Sequence, residues 1–485
     1  MLAYAGSMTR STRYDRLELD EAGFRGLVAA AVERLATHLR ELPAAPACVM
    51  DGAAEAARAL REVAAPRRGQ ALEEVLETLF ERALPVSYTT PGPGYLAYVP
   101  GGGLLHAAVA DLIADATNRF VGLWRAAPGL VQLEANVVQW LCAAVGLPDG
   151  AGGVLTTGGS LANFSATVTA RRARLGERFA DGTIYTSTQA HHSVVKAAAL
   201  AGFPEGQVRA LPVDERFCVR VPANAAAIAA DRRAGLRPCM IVGAAGTTNT
   251  GAVDDLAGLA ELAAREGLWF HVDAAYGGCF ALTERGRTAL RGIERADSVT
   301  LDPHKGLFLP YGTGALLVRD PAALRRAHAA AAEYLPPMQD DPMFVDFCEL
   351  SPELSRDFRG LRLWLPIKLC GLDAFAAALD EKLDLAQLAA EVLRGLPDVE
   401  LVAPPQLSLL AFRHAPRRLA GDEAALGEHN RALLAAINRR QRVFLTPTTA
   451  GGKFVLRICV LSFRTHRDRV EAGLEDVRAA IAELG

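Results

Sequence analysis

PCMIVGAAGTTNTGAVDDLAGLAELAAREGLWFHVDAAYGG (residues 238–278) reads as strand, helix, strand. An apolar run (residues 238–246) closes on a glycine turn, a segment with apolar residues at helical spacing follows (residues 255–266), and a second apolar run (residues 267–275) ends in an acid and two small residues. Two strands joined this way pair in parallel through a crossover, the repeating unit of a doubly wound α/β sheet. The alternation extends both ways, through GTIYTS (182–187) and SVVKAAALAG (193–202) on one side, and DSVTLD (297–302) and GALLVRD (314–320) on the other. Residues 153–318 are therefore expected to form a mainly parallel central sheet with helices on both faces.

Outside this block the pattern changes. Phe24, Leu27, Val28, Ala31, Val32 and Leu35 recur at helical spacing over residues 20–42, behind an acidic first turn that suits the helix dipole. An Ala- and Pro-rich stretch leads to a second helical run at 70–82. Beyond residue 371 come a long helix (372–393), strand candidates at 407–412 and 454–460, and a closing helix (466–484). The expected organisation is an N-terminal helical arm (1–90), a large α/β domain (91–371) and a small C-terminal α+β domain (372–485).

Composition narrows the function. With 51% hydrophobic and 22% charged residues over 485 positions the chain can bury a large core, which excludes disorder except at the ends. Fifty-two Lys and Arg against 55 Asp and Glu leave a net charge of −3, with no basic excess for a nucleic-acid partner. The eight cysteines form no C-x-x-C pair or Cys/His cluster; they read as buried thiols in a reducing compartment, and no metal site is expected. Asp111 and Asp115 interrupt the best candidate membrane span, and Arg and Asp occupy the first twenty residues where a signal peptide would be apolar. A soluble cytoplasmic protein with no membrane partner is expected.

Five strand ends carry reactive or ligand-binding residue types. SVTLDPHKG (298–306) puts Lys305 where α/β sheets gather ligands, and a lysine amine can condense with a carbonyl. FHVDAAYGG (270–278) ends in Asp273, able to pair with a protonated heterocycle, with Ala275 leaving room for a flat ring. TTGGSLAN (156–163) is a glycine turn entering a helix, a phosphate site without the Gly-Lys-Ser/Thr of a Walker loop. AHHSVVK (190–196) offers His191 for stacking, and GAAGTTNTGAVDD (243–255) offers Thr247 and Thr248. Taken singly each has an ordinary explanation: a solvated lysine, a helix N-cap, a loop imidazole bonded to backbone, or turn chemistry. Together on one sheet they point to a single site.

With these motifs the chain, from about residue 72 to its C-terminus, resembles the pyridoxal-phosphate (PLP) dependent group II decarboxylases of fold-type I, the family of aromatic-L-amino-acid, histidine and glutamate decarboxylases. The resemblance implies that Lys305 holds PLP covalently with His304 beside it, that Asp302 and Ser298 lie near the phosphate, and that Gly159, Ser160 and Thr248 hold phosphate oxygens. It implies that Asp273 keeps the pyridine nitrogen protonated and that His191 stacks on the ring face opposite Ala275. Tyr95 and Tyr98 in PGYLAYVP (93–100), Trp124 in the segment 117–134, and Arg457 in KFVLRICV (453–460) match substrate-side positions, in a homodimer whose active sites draw on both chains.

Two departures bear on the reaction. SRDFRGLRLW (355–364) sets a register in which the tyrosine that protonates the substrate carbon in this family falls on Phe347, which has no hydroxyl to supply a proton. Gly306 replaces the tryptophan often found after the His-Lys pair. The expected function is decarboxylation of an L-amino acid, aromatic by preference, to its amine and CO2. The alternatives are decarboxylation coupled to oxidative deamination, giving an aldehyde, ammonia and hydrogen peroxide, against which Tyr334 or another donor could substitute for the missing hydroxyl, and a PLP-binding protein without turnover.

Overall fold

The computed structural model describes residues 17–484, apart from 205, 331, 332, 334, 336, 337, 340 and 342. Its centre is a seven-stranded sheet built from β1 (Gly152–Thr156), β2 (Gly182–Ser187), β3 (Val208–Leu211), β4 (Arg237–Ala244), β5 (Trp269–Asp273), β6 (Ser298–Leu301) and β7 (Gly314–Val318), in the spatial order β1-β7-β6-β5-β4-β2-β3. Pairing is parallel from β3 through β6, and β7 runs antiparallel to both of its neighbours. The other six strands therefore present their C-terminal ends along one edge.

The sheet is covered on both faces, as the near-continuous apolar runs require. Side chains of β5 divide between the two cores: Phe270 and Val272 pack with Leu259 and Leu262 of the helix Leu256–Glu266, while Trp269 joins Ala162, Ala166 and Ala170 of the helix Gly159–Leu175. Those three alanines are fully buried and four residues apart, so the second helix lies close against the strands. That closeness brings its polar residues within reach of the strand ends.

The N-terminal segment holds the helix Glu21–Glu41, capped by Asp20 Oδ1 accepting from the Gly23 N–H at 2.8 Å. No residue of this helix is buried, and Phe24, Leu27, Val32 and Leu35 stand exposed. A short helix (Ala53–Ala59) lies inside the Ala- and Pro-rich stretch, and the run expected at 70–82 is helical over Leu72–Glu77 before widening into a π-helical turn, Thr78–Ala83.

The C-terminal part carries an antiparallel sheet of β8 (Val399–Ala403), β9 (Leu409–His414), β10 (Thr446–Ala450) and β11 (Lys453–Cys459) in the order β10-β11-β9-β8, packed with the helices Leu372–Arg394, Glu423–Asn438 and Arg467–Leu484. Four cysteines are buried (Cys142, Cys239, Cys279, Cys459), but Cys48, Cys218 and Cys348 are half-buried and Cys370 is exposed, which corrects the expectation of uniformly buried thiols. No helix among the described residues is long and apolar enough to cross a membrane.

Candidate active site

Along the edge where six strands end, one pocket is lined by Gly159, Ser160, His191, Ala244, Gly246, Thr247, Thr248, Asp273, Ala275, Tyr276, Asp302 and Lys305. Every one follows or ends a strand: Gly159 and Ser160 after β1, His191 after β2, Ala244 to Thr248 at β4, Asp273 to Tyr276 at β5, and Asp302 and Lys305 after β6. Ligands in open α/β sheets collect at this edge, where loops diverge and helix N-termini point inward.

Lys305 sits in the short helix Pro303–Gly306 with Nζ 2.8 Å from Asp302 Oδ2. Asp302 is buried, and its Oδ1 has no hydrogen-bond partner. Beside them His304 donates Nδ1–H to the Thr313 carbonyl at 2.7 Å, its Nε2 is 3.8 Å from Asp302 Oδ2, and burial lowers its pKa. A Cβ on Gly306 would lie 2.4 Å from Cys279 Cβ, so Cys279 fills the space a larger side chain at 306 would take.

Asp273 ends β5 with both carboxylate oxygens engaged. Oδ1 accepts the Ala275 N–H at 3.2 Å and Oδ2 accepts Asn163 Nδ2–H at 3.0 Å. His191, the N-cap of the helix His192–Leu200, accepts the Ser193 N–H on Nδ1 at 3.3 Å and lies 2.7 Å from Ser193 Oγ; burial pulls its pKa down against the raising effect of Asp273. Across the pocket Gly246 has φ +102°, and a Cβ there would fall 2.5 Å from Tyr276 Cδ1, so this turn takes only glycine.

The donor set fits PLP. The N-terminus of the helix Gly159–Leu175 has no side-chain cap, so its first N–H groups are free for a phosphate. A Cβ at Gly159 would lie 3.1 Å from Asp302 Oδ2 and 3.2 Å from Ala275 Cβ, a cradle that a larger residue would close. A lysine amine, a carboxylate and an imidazole complete the set. Among the described residues no cluster of His, Cys, Asp or Glu is placed to hold a metal ion.

Two expected site residues lie elsewhere. Ser298 begins β6, at the opposite end of the strand from Asp302, where its Oγ accepts Trp269 Nε1–H at 2.8 Å and meets His271 Nδ1 at 2.8 Å. At about 3.3 Å per residue the four positions separating it from Asp302 carry it roughly 13 Å away along the strand, so it does not reach the phosphate end. Phe347 belongs to the 3-10 turn Phe347–Glu349, is 1% exposed, and packs in the hydrophobic core with the Arg356 guanidinium 5.0 Å from its ring centre. It lines a cavity of about 430 Å³ with Leu350, Val138 and Gly152 that shares no residue with the Lys305 pocket. Tyr334 lies outside the described residues.

The substrate-side candidates do not line the pocket within one chain. Tyr95 is buried against Tyr88 and Phe444, and Trp124 stacks on Phe344 at 4.2 Å. Tyr98, half exposed with φ +51°, gives its carbonyl to Arg457 Nη2 at 3.1 Å. Arg457 also donates to the carbonyls of Thr248 at 2.5 Å and Asn249 at 3.2 Å. It therefore braces the phosphate-side turn. Asn163, given no role in the sequence reading, contacts Asp273 directly; the available signal was a polar residue among small ones on the inward face of a helix.

A lysine, an acid, an imidazole and an uncapped helix end on one parallel-sheet edge are the parts of a PLP enzyme. The pyridoxal-dependent decarboxylase conserved domain matches residues 55–415. The chain is 34% identical to the aromatic-L-amino-acid decarboxylase of Bacillus atrophaeus over 97% of its length and 98% of that protein, and 32% identical to the L-2,4-diaminobutyrate decarboxylase of Rhizobium meliloti, covering 85% and 82%. The crystal structure of Oryza sativa TDC with PLP and tryptamine superposes with a TM-score of 0.92 at 27% identity, covering 96% of this chain and 99% of that one. The chain belongs to the pyridoxal-dependent decarboxylase family. It is a PLP-dependent carboxy-lyase that decarboxylates an amino acid.

Proposed function

We propose that the substrate is an aromatic L-amino acid, converted to its amine and CO2 in the cytoplasm by a homodimer. The observation that carries the assignment of roles is the convergence of Lys305, Asp273 and His191 on one pocket. Bound PLP supplies an electron sink for the pair of electrons left on the substrate carbon when the carboxylate departs. In this reading Lys305 would hold the cofactor covalently through Nζ, beside Asp302. Asp273 keeps a proton on the ring nitrogen, and His191 covers one ring face opposite Ala275. Gly159, Ser160, Thr248, Asp302 and His304 frame the phosphate end, and burial keeps His304 and His191 inclined to the neutral form.

The preference for an aromatic substrate is supported by the substrate class of the Bacillus relative. Dimerisation is supported by the unburied apolar side of the helix Glu21–Glu41 and by exposed Leu105, Val109, Leu112 and Ile113 on the helix Leu105–Thr117, surfaces that a second copy would cover. Tyr95, Tyr98 and Trp124 then act at substrate sites completed by two chains. The burial of Phe347 in the core, away from the Lys305 pocket, favours simple decarboxylation over the aldehyde-forming alternative.

The test is a product assay of the PLP-loaded protein in air with a panel of aromatic, acidic and diamino L-amino acids, following CO2, amine, ammonia and hydrogen peroxide together. Amine equal to CO2, without peroxide and with aromatic substrates fastest, is the expected result. Preference for diaminobutyrate or glutamate would overturn the substrate class, and peroxide rising with CO2 would overturn the simple decarboxylation.

A further inference from the structure

Asn163 is 3% exposed, and its side-chain amide has all four hydrogen-bonding positions filled. Nδ2 donates to Asp273 Oδ2 at 3.0 Å and to Ser193 Oγ at 2.9 Å. Oδ1 accepts from Thr300 Oγ1 at 2.7 Å and from His271 Nε2 at 3.0 Å. The opposite amide orientation would turn the carbonyl oxygen toward the Asp273 carboxylate, so the network admits one orientation only.

The consequences run in two directions. Toward β5, the Asn163 N–H and the Ala275 N–H grip the two oxygens of Asp273 and fix the plane of its carboxylate. Toward the helix after β2, the Ser193 hydroxyl accepts from Asn163 and lies 2.7 Å from His191 Nδ1, to which it can give its own hydrogen. That nitrogen also accepts the Ser193 N–H. A ring nitrogen that accepts two donors carries no proton, and the neutral imidazole must hold its hydrogen on Nε2. Behind Asn163, His271 is anchored by Ser298, which in turn accepts from Trp269.

We propose that Asn163 is a positioning residue that orients the Asp273 carboxylate for the cofactor ring nitrogen and, through Ser193, fixes His191 as the Nε2–H tautomer. The inference rests on the reading of this pocket as the PLP site. It assigns to one amide the joint setting of the group at the ring nitrogen and the group on one ring face, and it gives the buried Trp269, Ser298 and His271 chain a task at the site.

The experiment compares binding of PLP and of its 1-deaza analogue, in which carbon replaces the ring nitrogen, to the apo forms of the full-length wild type, Asn163→Asp, Asn163→Ser and Ser193→Ala. Loss of positioning at Asp273 should lower the preference for PLP over the analogue by about tenfold or more in both Asn163 variants, because a hydrogen bond to a charged group is what the substitution removes. Ser193→Ala should keep the preference. In parallel, 15N spectra of histidine-labelled wild type should show His191, assigned by the signal lost in His191→Gln, with a bare Nδ1 and a protonated Nε2. Equal weakening of both cofactors, or an unchanged preference, overturns the role at Asp273; a protonated Nδ1 overturns the role at His191. The tautomer measurement needs no Asn163 variant, so misfolding of those variants leaves a decisive result. A wild type that binds neither cofactor would instead refute the PLP reading of the pocket.

Discussion

Arg457 separates two accounts of the C-terminal part of the chain. Arg457 is 4% exposed, and among the described residues its guanidinium meets only uncharged oxygens: the carbonyls of Thr248, Asn249 and Tyr98 and the hydroxyl of Thr446, at 2.5 to 3.3 Å. Replacing it in Arg457→Met keeps an apolar stem of similar length and leaves three partly buried carbonyls without donors. At about 1 kcal/mol each, the lower end for an abandoned buried acceptor, the loss is about 3 kcal/mol. With a urea dependence of about 3 kcal/mol per molar, the unfolding midpoint should drop by about 1 M. PLP affinity should fall as well, because Thr248 borders the pocket and loses its brace. The assay is urea unfolding of apo protein, paired with cofactor titration and steady-state kinetics. An unchanged midpoint together with a raised KM would refute the reasoning and return Arg457 to the substrate.

Lys305→Ala should abolish the label that borohydride fixes on the PLP-loaded protein, measured by mass spectrometry; a label retained elsewhere would displace Lys305 from its role. Phe347→Tyr should leave the ratio of amine to peroxide unchanged and lower stability by about 1–3 kcal/mol, because it puts a hydroxyl into a packed core; a changed product ratio would bring residue 347 back to the reacting carbon. Burial lowers the pKa of His271 to about 4 and lowers that of His304. The unfolded chain therefore binds protons that the folded one refuses, and stability should fall as pH drops below about 6.5, by up to about 1.4 kcal/mol per pH unit for each histidine. A denaturation midpoint flat from pH 7 to pH 5 would contradict this.

How much could be read in advance follows from what each signal depends on. The central sheet was legible because β4, β5 and the helix between them carry their periods locally, and a doubly buried parallel strand shows as an apolar run. Lys305, Asp273 and His191 were legible because each stands at the end of such a run, and strand ends in a parallel sheet share an edge. β8 and β10 escaped because neither is a buried apolar run: β8 is mostly half-buried and β10 alternates buried with exposed positions. β7 gave no sign of its reversed direction, since a strand's own residues do not encode the orientation of its neighbours. The exposure of Cys370 was not legible, since a thiol at a helix end gives no periodic sign of which way it faces.

Ser298 and Phe347 went astray for a different reason. Proximity in sequence to Asp302 suggested a shared site for Ser298, yet a strand separates its two ends, and Ser298 serves the other end of β6. Phe347 was placed by counting back from Arg359 through a segment with no periodicity to hold the count, and the ring went into the core beside Arg356. Asn163 is the converse case. Its four partners come from the helix after β2 and from β5 and β6, at separations of 30 to 137 residues, and only the finished sheet brings them together. The ionisable groups that face the pocket can be named from strand ends, whereas the amide that holds two of them in place is defined by the fold alone. The same dependence makes it a sharp probe: exchanging the Asn163 amide for a carboxylate alters no residue that lines the pocket, yet it must register at the cofactor ring nitrogen if the network acts as its geometry requires.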